Sequence, residues 1–126
     1  MDRALNGKEP TVYGDGEQSR DFIYVADVVE ANLIAADKTG ISGKVFNIGA
    51  GQQTTINQLW QKISYTASAD VNSVNEPVRK GDVRASVADT GLAERELGFK
   101  AETGLAEGLT KTYNWYKNGQ QSNAKR

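Results

Sequence analysis

The sequence predicts a single mixed α/β unit, on three observations. Short apolar runs of strand character alternate with stretches whose apolar residues recur at three- and four-residue steps. Glycines fall mostly at the boundaries between these stretches. No internal repeat and no long linker divides the 126 residues, a length that suits one hydrophobic core.

The elements follow in order. Residues 10–13 read as a short strand that ends at the turn signal Gly14-Asp15-Gly16, and residues 21–24 as a second extended run. From Val25 the spacing changes. Val25, Val28, Val29, Leu33 and Ala36 predict a helix over 25–38 with this face turned inward, stopped near Gly40. Residues 44–49 are mostly apolar and read as an interior strand. Ile56, Leu59, Trp60 and Ile63 mark the next helix, and Thr55 with Gln58 has the form of a capping box, in which each side chain satisfies one orphan backbone N–H. The polar stretch 64–77 is read as a loop with one short strand. Residues 85–88 form another strand candidate, followed by a short helix that carries Leu92 and Leu97, capped by Asp89 or Thr90 and terminated by Gly98. A last helix, 103–118, sets Leu105, Leu109, Tyr113 and Tyr116 on one inward face, with Gly108 inside it costing about 1 kcal/mol relative to Ala. Beyond it, residues 119–126 are expected to be a frayed polar tail.

Composition excludes several kinds of chemistry. Fifteen Lys and Arg against 16 Asp and Glu leave a net charge of −1, which argues against non-specific nucleic-acid binding, since that needs a basic excess. Without cysteine or histidine there is no disulfide framework, no thiolate nucleophile, no imidazole base and no Cys or His metal site. No apolar run approaches the ~20 residues needed to cross a bilayer, and residues 1–8 are polar with no signal-peptide core. The expectation is a cytoplasmic protein with no membrane and no nucleic-acid partner.

Few residues remain to carry chemistry. Gly49-Ala50-Gly51 between a strand and a helix has the outline of a pyrophosphate-binding turn. The third glycine position of the dinucleotide fingerprint falls at Thr54, however, so the simpler reading is a tight turn and not an NAD site. Arg20, at the end of a glycine-rich turn, is placed either to fork onto a phosphate or to pair with Asp21 or Asp15 on the surface. Arg79-Lys80-Gly81-Asp82-Val83-Arg84 is the densest charge cluster, suited to a diphosphate and a sugar hydroxyl pair or to a solvated loop. Tyr113, Trp115 and Tyr116 have the look of a stacking platform, but at helical spacing Tyr113 and Tyr116 read as core.

In order and spacing, residues 12–28, 45–51, 79–84, 88–89, 94–99 and the stretch from Glu107-Gly108-Leu109 to Trp115-Tyr116 resemble the NAD-dependent epimerase/dehydratase family, the extended short-chain dehydrogenases, with the UDP-glucose 4-epimerases nearest. The resemblance covers nearly the whole chain but only the C-terminal part of the family. It implies a small mixed α/β substrate-binding lobe lacking the N-terminal Rossmann half, with residues 1–118 as a nucleotide-sugar-binding domain. The family's Gly-rich dinucleotide loop and catalytic Tyr-x-x-x-Lys pair are not found. Tyr113 and Lys117 alone have the spacing, and they fall in the family's terminal helix.

The resemblance therefore implies no catalytic residue and no cofactor site in this chain, NAD belonging to the full-length family. It matches Arg20 and Arg79 to arginines that grip a diphosphate and Asp82 to a carboxylate that accepts from ribose hydroxyls. Tyr13 matches the position whose backbone helps read the nucleobase, and Arg84 is a further candidate for a phosphate or supporting role. Lys80 stands where proline is usual, and residues 65–75 fit the family less well than their flanks. The expected partners are a nucleotide-sugar ligand, a second copy of the chain and a separate Rossmann-type chain. The alternative is a self-assembling interaction protein that keeps the fold without binding ligand.

Overall fold

Local signals place most of the elements in the computed structural model, which describes residues 1–123. Helix α1 (Asp2–Leu5) precedes strand β1 (Thr11–Tyr13), the turn 14–16 and strand β2 (Ser19–Arg20). Gly14 and Gly16 both adopt φ +75°, the left-handed region that glycine enters without a Cβ penalty. Helix α2 (Val25–Asp37) and strand β3 (Thr54–Thr55) follow. Helix α3 (Ile56–Ala67) starts on the Thr55–Gln58 capping box, with both reciprocal hydrogen bonds present. Strand β4 (Val74–Glu76) is the short strand expected within 64–77. A π-helical turn, Ala93–Leu97, ends at Gly98 with φ +75°. Helix α4 (Leu105–Asn123) closes the described chain.

The strands form two small pairs. β1 runs parallel to β4 with Thr11 opposite Val74 and Tyr13 opposite Glu76. β2 runs antiparallel to β3, and on its other side the Ser19 N–H donates to Arg84 while Ser19 O accepts from Ser86. Ser19 is thus held between two segments distant in sequence, which fixes the backbone next to Arg20. The core lies between α2 and the π turn, where Ala31, Ala93, Leu97 and Phe99 are buried with Ile34, Phe46 and Ile48 packed around them. Asp27 on α2 accepts from both the N–H and the hydroxyl of Thr103, tying α2 to the start of α4. Gly108 has a local reason within α4: a Cβ there would sit 3.3 Å from the Tyr24 side chain, so the glycine lets the helix approach that ring.

Several expectations need correction, the first being the loop reading of 64–77, whose residues 64–67 continue helix α3. Residues 44–49 carry no strand pairing among the described residues. Phe46 and Ile48 point inward, but a strand needs a ladder partner, and Val45 is 84 % exposed. The 85–88 strand reduces to one isolated bridge from Ala85 to Ser19. On α2 the predicted inward face is largely outside: Val25, Val29 and Leu33 are exposed, and Ala31, Ile34 and Ala35 face the core. α2 is apolar around most of its circumference, and such a helix is covered on more than one side when fully buried; here one side is covered. Lastly, α4 continues through Gly119 to Asn123, since each residue added to a formed helix gains a hydrogen bond. Residues 124–126 of the expected tail lie outside the described residues. Tyr113 is half-buried, while Tyr116 is exposed and meets Trp115 edge to face at 5.1 Å. Among the described residues no helix is long and apolar enough to cross a membrane.

Candidate functional site

The charged segment 79–84 folds back against β1 and β2. Its turn closes through the Asp82 N–H, which donates to Arg79 O at 3.1 Å, with Gly81 at φ +85°. Beside the turn opens a cleft of about 450 Å³, lined by Tyr13, Gln18 and Ile56 on one side and Arg79, Lys80 and Asp82 on the other. The Arg79 guanidinium stacks over the Tyr13 ring, 3.7 Å from its centroid. That contact orients the fork and replaces part of its hydration by the ring's negative face.

Arg20 reaches this turn from behind. Its guanidinium donates to the Asp82 carboxylate, to Val83 O at 2.6 Å and to Ser19 O at 2.7 Å. Both charged side chains are about 30 % exposed, so the pair is partly shielded from water and fixes the turn against β2. Arg20 and Arg79 therefore flank one turn, and Asp82 is the link between them. Arg20 itself borders a neighbouring hollow formed by Asp21, Asn47 and residues 86–89. Of the two surface partners considered for Arg20 in the sequence, neither is used.

Arg84 stands apart from the cleft. Its guanidinium donates to both oxygens of Asp15, at 2.7 and 2.9 Å. The hydrogen bond from Arg84, aided by the Glu17 N–H, holds the Asp15 carboxyl below the ordinary carboxylate range, and Asp15 raises the Arg84 pKa in turn. This exposed pair anchors the 14–16 turn to the end of the charged segment.

Two residues with a part in the site escaped the sequence reading. Gln18 donates its amide to Tyr13 O at 2.7 Å, so one acceptor site of the Tyr13 carbonyl, the group matched to nucleobase reading, is already used within the chain. Asp21 accepts from the N–H groups of Ala50 (2.9 Å), Gly51 (3.0 Å) and Ala88 (3.2 Å). The only local signal for it was a carboxylate between an arginine and an apolar run. Asp21 also bears on NAD. The glycine turn 49–51 does form a small anion-binding concavity, but its anion is the Asp21 carboxylate, and the turn does not fit a pyrophosphate. Among the described residues no group of three or more acidic side chains is placed to hold a metal ion.

The order of elements, with this charged turn beside a glycine turn and a terminal amphipathic helix, is consistent with a partial domain of an extended short-chain dehydrogenase. The family model for the NAD-dependent epimerase/dehydratase family matches residues 1–49. A putative UDP-glucose 4-epimerase of Methanocaldococcus jannaschii is 35 % identical over 122 residues, which is 97 % of this chain and 39 % of that protein. The structure of a UDP-glucose 4-epimerase from Thermotoga maritima with UDP-glucose superposes with a TM-score of 0.89 at 42 % identity, covering 94 % of this chain and 38 % of that one. The structure of a UDP-glucose 4-epimerase from Stenotrophomonas maltophila, with bound NAD and formylated UDP-arabinopyranose, gives a TM-score of 0.86 at 30 % identity, covering 95 % of this chain and 39 % of that one. Over nearly its whole length the chain is similar to the C-terminal part of proteins of the NAD-dependent epimerase/dehydratase family. It spans about two-fifths of the length of these relatives.

Proposed function

We propose that this chain binds a nucleotide-sugar of the UDP-sugar kind and forms the substrate-holding part of an epimerase or dehydratase. The observation that carries this reading is the cleft at the 79–82 turn, where Tyr13, Arg79 and Asp82 meet with Arg20 tied to the same turn. Arg79 and Arg20 grip the diphosphate, for which a planar fork of N–H donors is well matched. Asp82 accepts from ribose hydroxyls once Arg20 turns to phosphate, and the Tyr13 segment walls the nucleobase. Arg84 supports the cleft by holding Asp15. Binding energy collected at the nucleotide, remote from the reacting carbon, orients the sugar.

The 126 residues hold the grip without a catalytic Tyr-x-x-x-Lys helix or a dinucleotide loop, so on this reading they bind without turnover. Isothermal titration with UDP-glucose and dTDP-glucose tests the reading. Binding is expected, with Arg20→Ala and Arg79→Ala each weakening it about 10-fold or more, the cost of one charge-assisted hydrogen-bonding group of roughly 1.5–3 kcal/mol. No heat and no thermal shift with either nucleotide would overturn the reading, as would NAD-dependent turnover by the chain alone.

One observation favours a second role, self-association. The outward stripe Val25, Val29 and Leu33 on α2 is 66, 52 and 58 % exposed, close in sequence to the exposed Val45. Apolar faces of this kind are normally covered, here by the same face of a second copy. Light scattering over a roughly 100-fold concentration range is expected to show a concentration-dependent mass that Leu33→Lys returns to monomer. A monomer at every concentration removes this role and leaves nucleotide binding untouched.

A further inference from the structure

The cleft contains a cation that the nucleotide-sugar reading does not use. In the turn Arg79-Lys80-Gly81-Asp82, the first carbonyl accepts from the fourth N–H and the third residue has φ +85°. That combination is a type II turn, whose second position favours proline because its φ is preset there and its N–H is not needed. Lys80 occupies the second position. Neither its backbone N–H nor its ammonium has a partner among the described residues, while its side chain lines the cleft.

The charges of the cleft do not cancel. Asp82, the only carboxylate lining it among the described residues, is matched by Arg20. Arg79 is stacked on Tyr13 and forms no ion pair with a carboxylate among the described residues. Arg79 and Lys80 are left as two adjacent uncompensated cations facing one space. We propose that Lys80 is a further diphosphate-binding cation beside Arg79 in the cleft, a specificity determinant through which this chain gains affinity for the charged bridge of a nucleotide-sugar that a proline at the same position does not provide. This rests on the reading of the cleft as a nucleotide-sugar site. The structural reason is separable from the chemical one: the turn is held by Gly81 and the Asp82 N–H, so position 80 is free to carry charge.

Lys80→Pro is the discriminating variant, because it suits the turn and removes only the ammonium. Its Tm is expected to be kept or raised, as for proline at a compatible site. Its affinity for UDP-glucose, by titration at low salt, is expected to fall about three- to tenfold, the range for one partly exposed charge contact. The difference should shrink as salt screens the ammonium. Lys80→Gln should fall alike, and Lys80→Arg should keep most of the affinity. Binding of UDP-glucose by the unaltered chain with no loss in Lys80→Pro would overturn this proposal and leave the cleft reading standing. A loss in Lys80→Pro that Lys80→Gln does not share would also overturn it, since backbone and not charge would then be responsible. No binding by the unaltered chain overturns both.

Discussion

Replacing Asp21 by alanine removes three acceptor contacts at once. Its carboxylate takes the N–H of Ala50 and Gly51 on its two oxygens and that of Ala88 from a third direction. The bonds to Ala50 and Ala88 are part-buried and the one to Gly51 is exposed, so water replaces the third at little cost. Each of the two shielded bonds to a charged acceptor is worth about 1.5 kcal/mol, and the exposed one about 0.5 kcal/mol or less. Asp21→Ala is therefore expected to cost about 3 kcal/mol. Against a domain stability of roughly 5–15 kcal/mol that is a large fraction, equivalent to a Tm drop of about 10 °C in a chain of this size. Asp21→Asn keeps one oxygen and should lose about half as much, its NH₂ being unable to accept. Urea denaturation followed through Trp60 and Trp115 fluorescence measures both. A midpoint for Asp21→Ala within about 0.5 kcal/mol of the unaltered chain would refute the claim that this carboxylate holds the 49–51 turn to β2 and the 86–88 segment.

Other predictions follow from the same geometry. Gly49→Ala would place a Cβ 2.5 Å from Asp21 Oδ2 and 2.7 Å from the Ala88 Cβ, and overpacking of this kind should cost about 1–3 kcal/mol by urea denaturation; the penalty should be smaller in an Asp21→Ala background, which a double-mutant cycle reads directly. The Asp15–Arg84 pair should show a defined pH dependence. Arg84 lowers the Asp15 pKa in the folded state, so the pair's stabilisation is present above the unfolded carboxyl value of about 3.9 and is lost as pH falls through the lower folded value. The gap in urea midpoint between the unaltered chain and Arg84→Gln should accordingly be open at neutral pH and closed in strong acid; a gap that persists there would exclude Asp15 as the cause. Asp82→Asn should free Arg20 from its partner and lower Tm, with the loss reduced at high salt because the pair is part-exposed; a salt-independent loss would point to packing instead.

What could be read in the sequence was mostly local. The Thr55–Gln58 box, the Gly14–Gly16 turn, the α2 span and the stop at Gly98 all depend on residues within four positions of one another, where backbone geometry leaves few partners to choose from. The ordered motifs from residue 12 to residue 116 likewise pointed to the family. The sites of charge were visible too, but not whom each charge would meet. Arg20 had Asp15 and Asp21 close by in sequence and instead pairs with Asp82, 62 residues on, while Arg84 takes Asp15, 69 residues back. Asp21 spends its charge on three backbone N–H groups. Only the tertiary structure decides such matters, because an ion pair across the chain is chosen by which carboxylate the packed elements bring within reach. The same holds for α2 and residues 44–49. Periodicity counts apolar residues, whereas burial depends on what lies opposite, and among the described residues one side of an apolar helix stays exposed and one would-be strand has no ladder partner.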